Sequence, residues 1–463
     1  MNRKSLIIAL IVGGTFFMEN LDSTAITTAI PKMAQDFSVD PVTMSMGITS
    51  YVIMLAVFIP ISGWFAERFG TRNIFSIAIA GFTISSALCG LSYSLPIFIG
   101  ARILQGIFGA LMVPVGRLAV LSNTEKKDLV TTIAYLSWPG LAGPICGPFL
   151  GGFFTTYFTW HWIFFVNVPL GIIAILLTFK YIPKSTQHFK KKLDWVGFLL
   201  SGIGLLAFMI GIELASETHI NLALVISLFV GALILLGISV WHSFKIEHPL
   251  IDYSVMKIRT FKVTFTSGTI TQIVINTAPY VLPLFFQIGF GMSAFNAGLL
   301  YMFSMIGNLA MKPATIWITR KFNFKAVLVV NGLLLALAVF LQSYLQPETP
   351  YWLMAALLFC SGLTRSMQYS SMNTLAFADI NDKEMNNANT LNSTLRQIAL
   401  ATGISIGALL LHLSANYHGN GSNYQVEDFQ LTLQIIAIIG VLAIYDFFTI
   451  KKTDALNVRN KKA

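Results

Sequence analysis

The sequence predicts an all-α membrane protein with fourteen transmembrane helices. Of its 463 residues, 55% are hydrophobic and only 11% are charged, and the mean hydropathy is +0.71. A water-soluble domain carries about 25% charged residues, so a chain this poor in charge needs lipid as its solvent. The apolar stretches are continuous and long, and a helix needs about 20 such residues to cross the bilayer core. Helices satisfy their own backbone hydrogen bonds in lipid, and the alternating ten-residue pattern of a membrane barrel is not found.

Polar residues, Pro and Gly divide the apolar sequence into fourteen stretches. We expect helices at residues 5–28, 43–66, 73–93, 96–121, 129–154, 162–180, 195–215, 220–242, 261–287, 294–318, 326–346, 350–375, 387–413 and 428–450. The first stretch is too long for the apolar region of a cleaved signal peptide and lacks a small-residue cleavage site. We therefore interpret it as the first transmembrane helix.

The basic residues predict the orientation of these helices. With the N-terminus in the cytoplasm, nearly all of the 30 Lys and Arg residues fall in cytoplasmic segments and Lys32 alone falls in an outer loop. Five more lie within helices: Arg102, Arg117, Lys312, Arg365 and Arg396. This asymmetry indicates a bacterial-type inner membrane with both termini in the cytoplasm. Orientation and contact with anionic lipid account for the net charge of +10, so no nucleic-acid partner is expected.

An internal repeat predicts the domain organisation. Residues 60–72 contain Pro, Trp, Phe and a basic residue, and the same residue types recur with the same spacing at 313–325. Repeated halves are typical of two-bundle transporters. We predict a six-helix bundle over 1–185, a two-helix insert over 186–255 and a second six-helix bundle over 256–463.

Two carboxylates lie within the first helix. Glu19 and Asp22 are three residues apart and therefore share a helix face. Acidic residues inside a membrane are costly and mark substrate or proton paths. The alternative is a structural pair whose oxygens are satisfied by neighbouring hydroxyls such as those of Ser23 and Thr24.

Three further stretches combine charge with small residues. A basic turn follows the second helix, the fourth helix has a cation and an amide one turn apart, and the fifth helix has a regular string of Gly and Pro. Glycines allow close helix contact and prolines introduce kinks. The residues are Glu67, Arg68, Gly70 and Arg72 in the turn, Arg102 and Gln105 in the fourth helix, and Gly143, Pro144, Gly147, Pro148 and Gly151 in the fifth.

Together these stretches resemble the signature motifs of the major facilitator superfamily. The strings 21–31 and 160–171 resemble its fourteen-helix drug–proton antiporter branch, of the EmrB/QacA type. The strings 68–72 and 372–374 resemble MdtD-like exporters within it. The resemblance implies a major facilitator fold, with two six-helix bundles related by a pseudo-twofold axis on either side of the insert.

The resemblance also implies roles for these residues. The Gly–Pro string is the motif associated with antiporters, Asp22 is the main proton-coupling carboxylate with Glu19, and Arg102 is its cationic modulator. The basic turn forms a latch that holds the cytoplasmic side closed. Glu67 stands where the family has Asp, which leaves the contact geometry of the latch open. We expect a latch or interface role for Arg117, and no matching second latch at residues 320–323, where the acid and the glycine are absent.

Two arginines do not fit a plain drug exporter. In this fold, helices 1, 4, 7 and 10 line the cavity, and the C-terminal half places Arg365 and Arg396 inside the membrane without a central acid. Such cations suit a carboxylate or phosphate clamp. Alternatively, Arg365 pairs with Glu19 or Asp22 as a gate, and Arg396 reaches the inner leaflet. The candidate substrate-binding residues are Glu19, Asp22, Gln105, Met112, Gln272, Asn276, Arg365, Gln368, Tyr369 and Arg396.

The function predicted from these features is proton-coupled export of amphipathic, drug-like small molecules by alternating access. The alternative is export of an anionic metabolite, such as a polycarboxylate siderophore, held by Arg365, Arg396 and Arg102. The proton gradient is the expected energy source, with no cofactor and no metal, because no phosphate-binding loop or ligand spacing occurs. An enzyme and a receptor are less favoured, since no nucleophile–base set or effector segment is evident. We expect a monomer in contact with lipid and leave a periplasmic partner open.

Overall fold

The computed structural model describes residues 3–124, 129–184, 193–215, 221–246, 249–381, 384–421, 423–451 and 454–455. Over these residues the regular elements are helices. The α-helices are α1 (Arg3–Phe37), α2 (Pro41–Met44), α3 (Met46–Phe69), α4 (Thr71–Gly90), α5 (Leu95–Ser122), α6 (Leu129–Tyr157), α7 (Trp162–Phe165), α8 (Asn167–Tyr181), α9 (Trp195–Leu214), α10 (Leu222–Ser243), α11 (Arg259–Leu284), α12 (Ala294–Lys321), α13 (Phe324–Gln342), α14 (Tyr351–Ala378), α15 (Met385–His418) and α16 (Val426–Leu442).

The chain is a multi-pass membrane protein, and each of the fourteen predicted stretches contains a helix. Within the described part of the chain, twelve segments are long and apolar enough to cross a membrane. The long helices α6 and α14 are not among these twelve, and α14 carries Arg365, Gln368 and Asn373 in its sequence. The all-helical class is therefore confirmed, whereas the count of fourteen crossings stays a prediction.

The first helix is longer than its apolar run predicts. We expected it to end near residue 28, but α1 continues through Pro31 to Phe37. Its last turns carry Lys32 and Asp36, which form an ion pair with 3.3 Å between Nζ and Oδ1. The hydrophobic pattern predicts only the apolar part of a helix. It does not detect a polar extension in which the helix continues beyond that part.

In the N-terminal half, α1 packs directly on the Gly–Pro string of α6. A Cβ atom built on Gly147 would lie 1.9 Å from Oγ1 of Thr24, and one built on Gly151 would lie 2.2 Å from the carbonyl oxygen of Ala25. Neither position has room for a side chain. These glycines therefore set the distance between the two helices, as the sequence indicated.

Glycines also allow a close helix contact in the C-terminal half, between α12 and α14. A Cβ atom on Gly307 would lie 2.1 Å from the carbonyl oxygen of Phe359, and one on Gly362 would lie 2.0 Å from that of Ser304. The two helices are thus in backbone contact. The sequence analysis did not single out these glycines, because they form no regular string.

Helices α9 and α10 pack on each other, and α9 contacts both α3 and α15. Gly202 of α9 faces Val57 of α3, and the sulfur of Met209 accepts a hydrogen bond from Thr402 of α15. The proposed insert thus lies along the line where the two halves meet. Its predicted start, between residues 185 and 186, lies outside the described residues. Its predicted end falls within the 3₁₀ helix Tyr253–Lys257, and the division into domains stays a prediction.

Replacing Gly151 with Ala is expected to destabilise the protein. The added methyl group meets backbone atoms of α1 that are unable to move aside, and overpacking of this kind costs about 1–3 kcal/mol. The apparent melting temperature in detergent should fall by several degrees. The matched control is Gly231→Ala in α10, where no atom lies within 4 Å of the new Cβ. An equal loss in both variants would contradict this account of the α1–α6 contact.

Candidate functional site

A cavity of about 950 Å³ lies between the two halves. It extends from the middle of α1 to the end of the molecule where α3 gives way to α4. Helices α1, α3 and α5 line it on one side and α14 and α15 on the other. Its lining includes Phe16, Glu19, Asn20, Trp64, Glu67, Arg117, Asn373, Phe377 and Arg396. In the predicted orientation this end faces the cytoplasm.

Contacts between the two halves close the opposite end. The hydroxyl of Tyr424, before α16, donates a 3.0 Å hydrogen bond to Oδ1 of Asp40, before α2. The ring of Phe295 packs against Phe149 and Tyr157, each with ring centroids 5.6 Å apart. Over the described residues, these contacts close the outer end, and the cavity extends to the predicted cytoplasmic end. None of these outer contacts was predicted, because each joins residues far apart in the sequence.

Tyr424 remains a hydrogen-bond donor at neutral pH. Burial raises the pKa of its phenol well above the usual value, and the adjacent carboxylate of Asp40 raises it further. The Tyr424–Asp40 hydrogen bond is thus maintained while the outer end is closed, and it has to break when that end opens.

Replacing Tyr424 with Phe is expected to increase the population in which the outer end is open. Distances between spin labels at Cys substituted for Tyr93 and Glu348, both exposed and outside the membrane-crossing segments of the structure, report on this opening. A longer distance should gain population in Tyr424→Phe. Tyr417→Phe is the matched control, because Tyr417 is exposed. Identical distributions in wild type and Tyr424→Phe would exclude a gating role for the hydrogen bond.

Asp22 lies at the centre of a buried charge network. Nη1 of Arg102 is 2.6 Å from Oδ2 of Asp22, and both side chains are 0% exposed. Nε2 of Gln105 and Nδ2 of Asn167 each donate a 3.1 Å hydrogen bond to Oδ1 of the same carboxylate. Both oxygens are therefore satisfied. Asp22, Arg102 and Gln105 come together as the sequence suggested, but they do not line the cavity.

Arg102 is held through its Nε and Nη1 atoms, whereas its Nη2 is buried without a hydrogen-bond partner among the described residues. Its Nε donates to the carbonyl oxygen of Gly47 at 3.0 Å, and its Nη1 also donates to Oε1 of Gln105 at 2.7 Å. The guanidinium carbon lies 4.2 Å from the centroid of the Tyr51 ring, which is cation–π geometry. The guanidinium thus joins α1, α3 and α5. The contacts of Tyr51 and Gly47 with Arg102 were not predicted, because nothing in the sequence distinguishes these two residues from the other residues of an apolar helix.

Glu19 has a different environment from Asp22, one turn away. Its side chain lines the cavity, and its Oε2 is buried without a hydrogen-bond partner in the part of the chain that the structure describes. The alternative that Ser23 and Thr24 satisfy these carboxylates is not realised, because both hydroxyls donate to main-chain carbonyl oxygens of α1. Of the two carboxylates, Glu19 is the one that a ligand in the cavity reaches.

Breaking the Asp22–Arg102 pair on one side is expected to destabilise the protein by roughly 3–5 kcal/mol, because an uncompensated buried charge remains. Asp22→Asn and Arg102→Gln should each lower the melting temperature in detergent. The double variant should recover part of the loss, since neither charge is then left alone. Losses that simply add in the double variant would show that the two side chains act independently.

The C-terminal arginine Arg365 is held within its own half. Its Nη1 donates to the hydroxyls of Tyr301 and Ser304 of α12, at 3.1 and 3.4 Å. It does not pair with Glu19 or Asp22 in this structure, and it does not line the cavity. Its two hydroxyl partners were not predicted.

Four other candidates also lie away from the cavity. Oε1 of Gln368 accepts a 2.8 Å hydrogen bond from Asn331 of α13, and Met112 is 0% exposed in the core of the N-terminal half. Gln272 and Asn276 of α11 are half-buried, and Asn276 lies against Gly403 of α15. No contact in this structure brings these four residues together.

Arg396 and Tyr369 are adjacent. The guanidinium carbon of Arg396 lies 5.1 Å from the centroid of the Tyr369 ring, and Nζ of Lys312 lies 5.9 Å from the same centroid. Lys312 also donates a 3.1 Å hydrogen bond to the hydroxyl of Ser370. Arg396 also lines the cavity, as does Arg117 of α5. Two arginines therefore face the cavity, one from each half.

The residues of the predicted latch lie at the open end. Gly70 has φ of 85°, a left-handed conformation that a residue with a side chain rarely adopts, and this allows the tight turn between α3 and α4. Glu67 and Arg68 are exposed, and Glu67 lines the cavity. The guanidinium carbon of Arg72 lies 5.2 Å from the centroid of the Phe179 ring, on its own half. A latch function stays a prediction.

One group among the described residues has metal-ligating atoms close together. His418, Glu427 and Asp428 each offer one such atom within 4.8 Å of the others. Asp428 accepts hydrogen bonds from the main-chain nitrogen of Gln425 and from Asn420, at 2.8 and 3.0 Å. This is the capping box of α16. The contacts thus explain the group as a helix cap, and we assign no metal to it.

Comparison with known families and proteins gives a consistent result. The model of the Major Facilitator Superfamily matches residues 12–404. Proteins named multidrug resistance protein MdtD are similar along most of their length. That of Cronobacter sakazakii is 36% identical over 401 residues, covering 87% of this chain and 85% of the relative. That of Pectobacterium carotovorum is 35% identical over 438 residues, covering 94% and 93%.

Solved structures share the fold at low sequence identity. A D-xylose–proton symporter superposes with a TM-score of 0.69 at 15% identity, covering 97% of this chain and 98% of the other. A bacterial homologue of the human lysosomal transporter Spinster, in an inward-facing and unoccupied conformation, superposes with a TM-score of 0.68 at 16% identity, covering 100% of both chains.

Proposed function

We propose a function from the premise that the chain belongs to the Major Facilitator Superfamily and is a transporter, not an enzyme. We infer that it exports amphipathic, drug-like small molecules in exchange for protons. The names of its relatives, which are 33–36% identical, support drug-like cargo. The helices and the net positive charge support a place in the inner membrane of a bacterium with both termini in the cytoplasm.

One observation carries the proposal: the side chain of Glu19 lines a cavity of about 950 Å³, and no described residue bonds its buried Oε2. A carboxylate in such a place gains from binding either a proton or the positive group of a cargo. Proton and cargo then compete for Glu19, and this competition is the basis of antiport.

Asp22 and Arg102 supply the second part of the coupling. Arg102 pairs with Asp22 and fixes α1 against α5, so the network holds Glu19 in place on the same helix. A change in the Asp22–Arg102 distance during transport would expose Asp22 to protonation. Each proton that moves down a 100 mV potential releases about 2.3 kcal/mol. This is enough for a cargo gradient of several tens-fold, because about 1.4 kcal/mol corresponds to tenfold.

Alternating access follows from rocking of the two halves. We propose fourteen crossings in a 6+2+6 arrangement, with α6 and α14 as the two that composition alone does not identify. The structure then corresponds to the inward-open state. The turn with Glu67, Arg68 and Arg72 would join the halves in the outward-open state, when the cytoplasmic end closes. The chain works as a monomer that binds its small-molecule substrate directly.

The alternative cargo is an anionic metabolite such as a polycarboxylate siderophore. This alternative requires three arginines to bind the anion. Of these, Arg102 is paired with Asp22, and Arg365 donates hydrogen bonds to hydroxyl groups. Arg396 alone of the three lines the cavity. Binding of an anion by all three arginines is therefore less well supported than binding of a cation at Glu19.

Replacing Glu19 with Gln is expected to abolish gradient-driven transport. In proteoliposomes with an imposed pH gradient, uptake of a lipophilic cation should fall at least tenfold, because the glutamine binds neither a proton nor the cation's charge. Glu348→Gln, at an exposed position between α13 and α14, is the matched control and should transport normally. Uptake that persists in Glu19→Gln and still follows the gradient would contradict the proposal.

A further inference from the structure

We propose that Arg117 and Arg396 form a subsite for the anionic group of an amphipathic substrate, at the open end of the cavity. The inference rests on the proposed transport function and narrows its substrate class. The group bound is a carboxylate, sulfonate or phosphate attached to an apolar body.

The two arginines come from opposite halves of the molecule. Arg117 is on α5 and Arg396 is on α15, and both side chains are exposed to the cavity that they line. Nζ of Lys312 of α12 lies 5.9 Å from the centroid of the Tyr369 ring, and the guanidinium carbon of Arg396 lies 5.1 Å from the same centroid. Arginines from both halves thus line the cavity, and a third cation lies near one of them.

No acidic residue neutralises these cations in the described part of the chain. None of the three has a carboxylate oxygen within 4.0 Å, whereas other ion pairs do form. Three acids line the same cavity near its open end: Glu67 forms no ion pair with these cations in the described part of the chain, and the other two are committed elsewhere. Asp194 contacts His242 at 2.9 Å and accepts from the main chain of Leu250, and Asp252 accepts from the main chain of Ser254. The cations therefore retain an unused capacity to bind an anion.

The surroundings strengthen this capacity. A cleft of one sign of charge between low-dielectric walls concentrates counter-ions, and guanidinium groups bind carboxylate and phosphate oxygens in pairs. Phe16, Trp64 and Phe377 supply apolar and aromatic lining in the same cavity. A ligand with an apolar body and a charged end fits both features. Because Glu19 lines the same cavity, a zwitterion could contact both charge types.

The position of the subsite also gives it a role in the transport cycle. Repulsion between Arg117 and Arg396 opposes approach of the two halves at the open end. An anion bound between them removes that repulsion and attracts both halves. Substrate binding then favours closure, because it stabilises the closed arrangement more than the open one.

The test is equilibrium binding to the purified full-length chain in phosphatidylcholine nanodiscs. The probes are naphthylacetate and its uncharged analogue naphthylacetamide, measured by calorimetry without any gradient. Wild type should bind the carboxylate about tenfold more tightly than the amide. Arg117→Gln and Arg396→Gln should each remove most of this preference while leaving the affinity for the amide unchanged, which shows that the cavity is intact.

Two further variants separate charge from structure. Arg396→Lys should keep most of the preference, since the charge is retained. Lys245→Gln, an exposed residue at the end of α10 outside the cavity, should keep all of it. Equal affinity of wild type for the two probes, or an unchanged preference in both glutamine variants, would overturn the inference. Gradient-driven uptake of a lipophilic cation tests the proposed function separately and does not depend on this result.

The natural source of the anionic group is either a free substrate or a phospholipid headgroup. Phosphatidylglycerol added to the nanodiscs distinguishes them. If lipid occupies the subsite, it should weaken naphthylacetate binding to wild type and not to Arg396→Gln. If it leaves both affinities unchanged, the subsite serves free amphipathic anions.

Discussion

A charge pair that is fully removed from water holds the N-terminal half together. Asp22 and Arg102 are each 0% exposed, and Gln105, Asn167 and Gly47 form further hydrogen bonds with them. Because a buried charge without its partner is strongly unfavourable, α1, α5 and α8 are constrained to remain in register around it. Glu19, one turn along α1, is thereby held at the cavity wall. The pair thus positions the carboxylate that lines the cavity.

Much of the fold was predictable because a membrane imposes simple rules. Lipid requires long apolar helices, and the continuous runs therefore predicted a helix at each of the fourteen stretches. The regular spacing of Gly147 and Gly151 predicted a close helix contact, but it did not identify α1 as the partner. The polar extension of α1 to Phe37 and the low apolar content of α14 were harder to interpret, because hydropathy measures transfer to lipid and not helix formation.

The site was predictable only in part. The motif pattern associated Asp22 with Arg102, and the structure places the two in contact with Gln105, but the same pattern assigned Asp22 and Gln105 to a substrate surface from which they are buried. Whether a polar side chain is buried or reaches the cavity depends on its hydrogen bonds with residues far away in the sequence. The hydroxyl partners of Arg365 and the amide partner of Gln368 lie on neighbouring helices, and a single sequence carries no signal for contacts of this kind.

The position of α9 has a consequence for how the molecule moves. It touches α3 of one half through Gly202 and α15 of the other through Met209. If the halves rock as proposed, α9 slides against at least one of them, which is a shear displacement between packed helices. A glycine and a flexible thioether are suited to this, because neither locks into a single arrangement. The contacts of α9 with both halves would then add to the energy barrier of the proposed transport cycle.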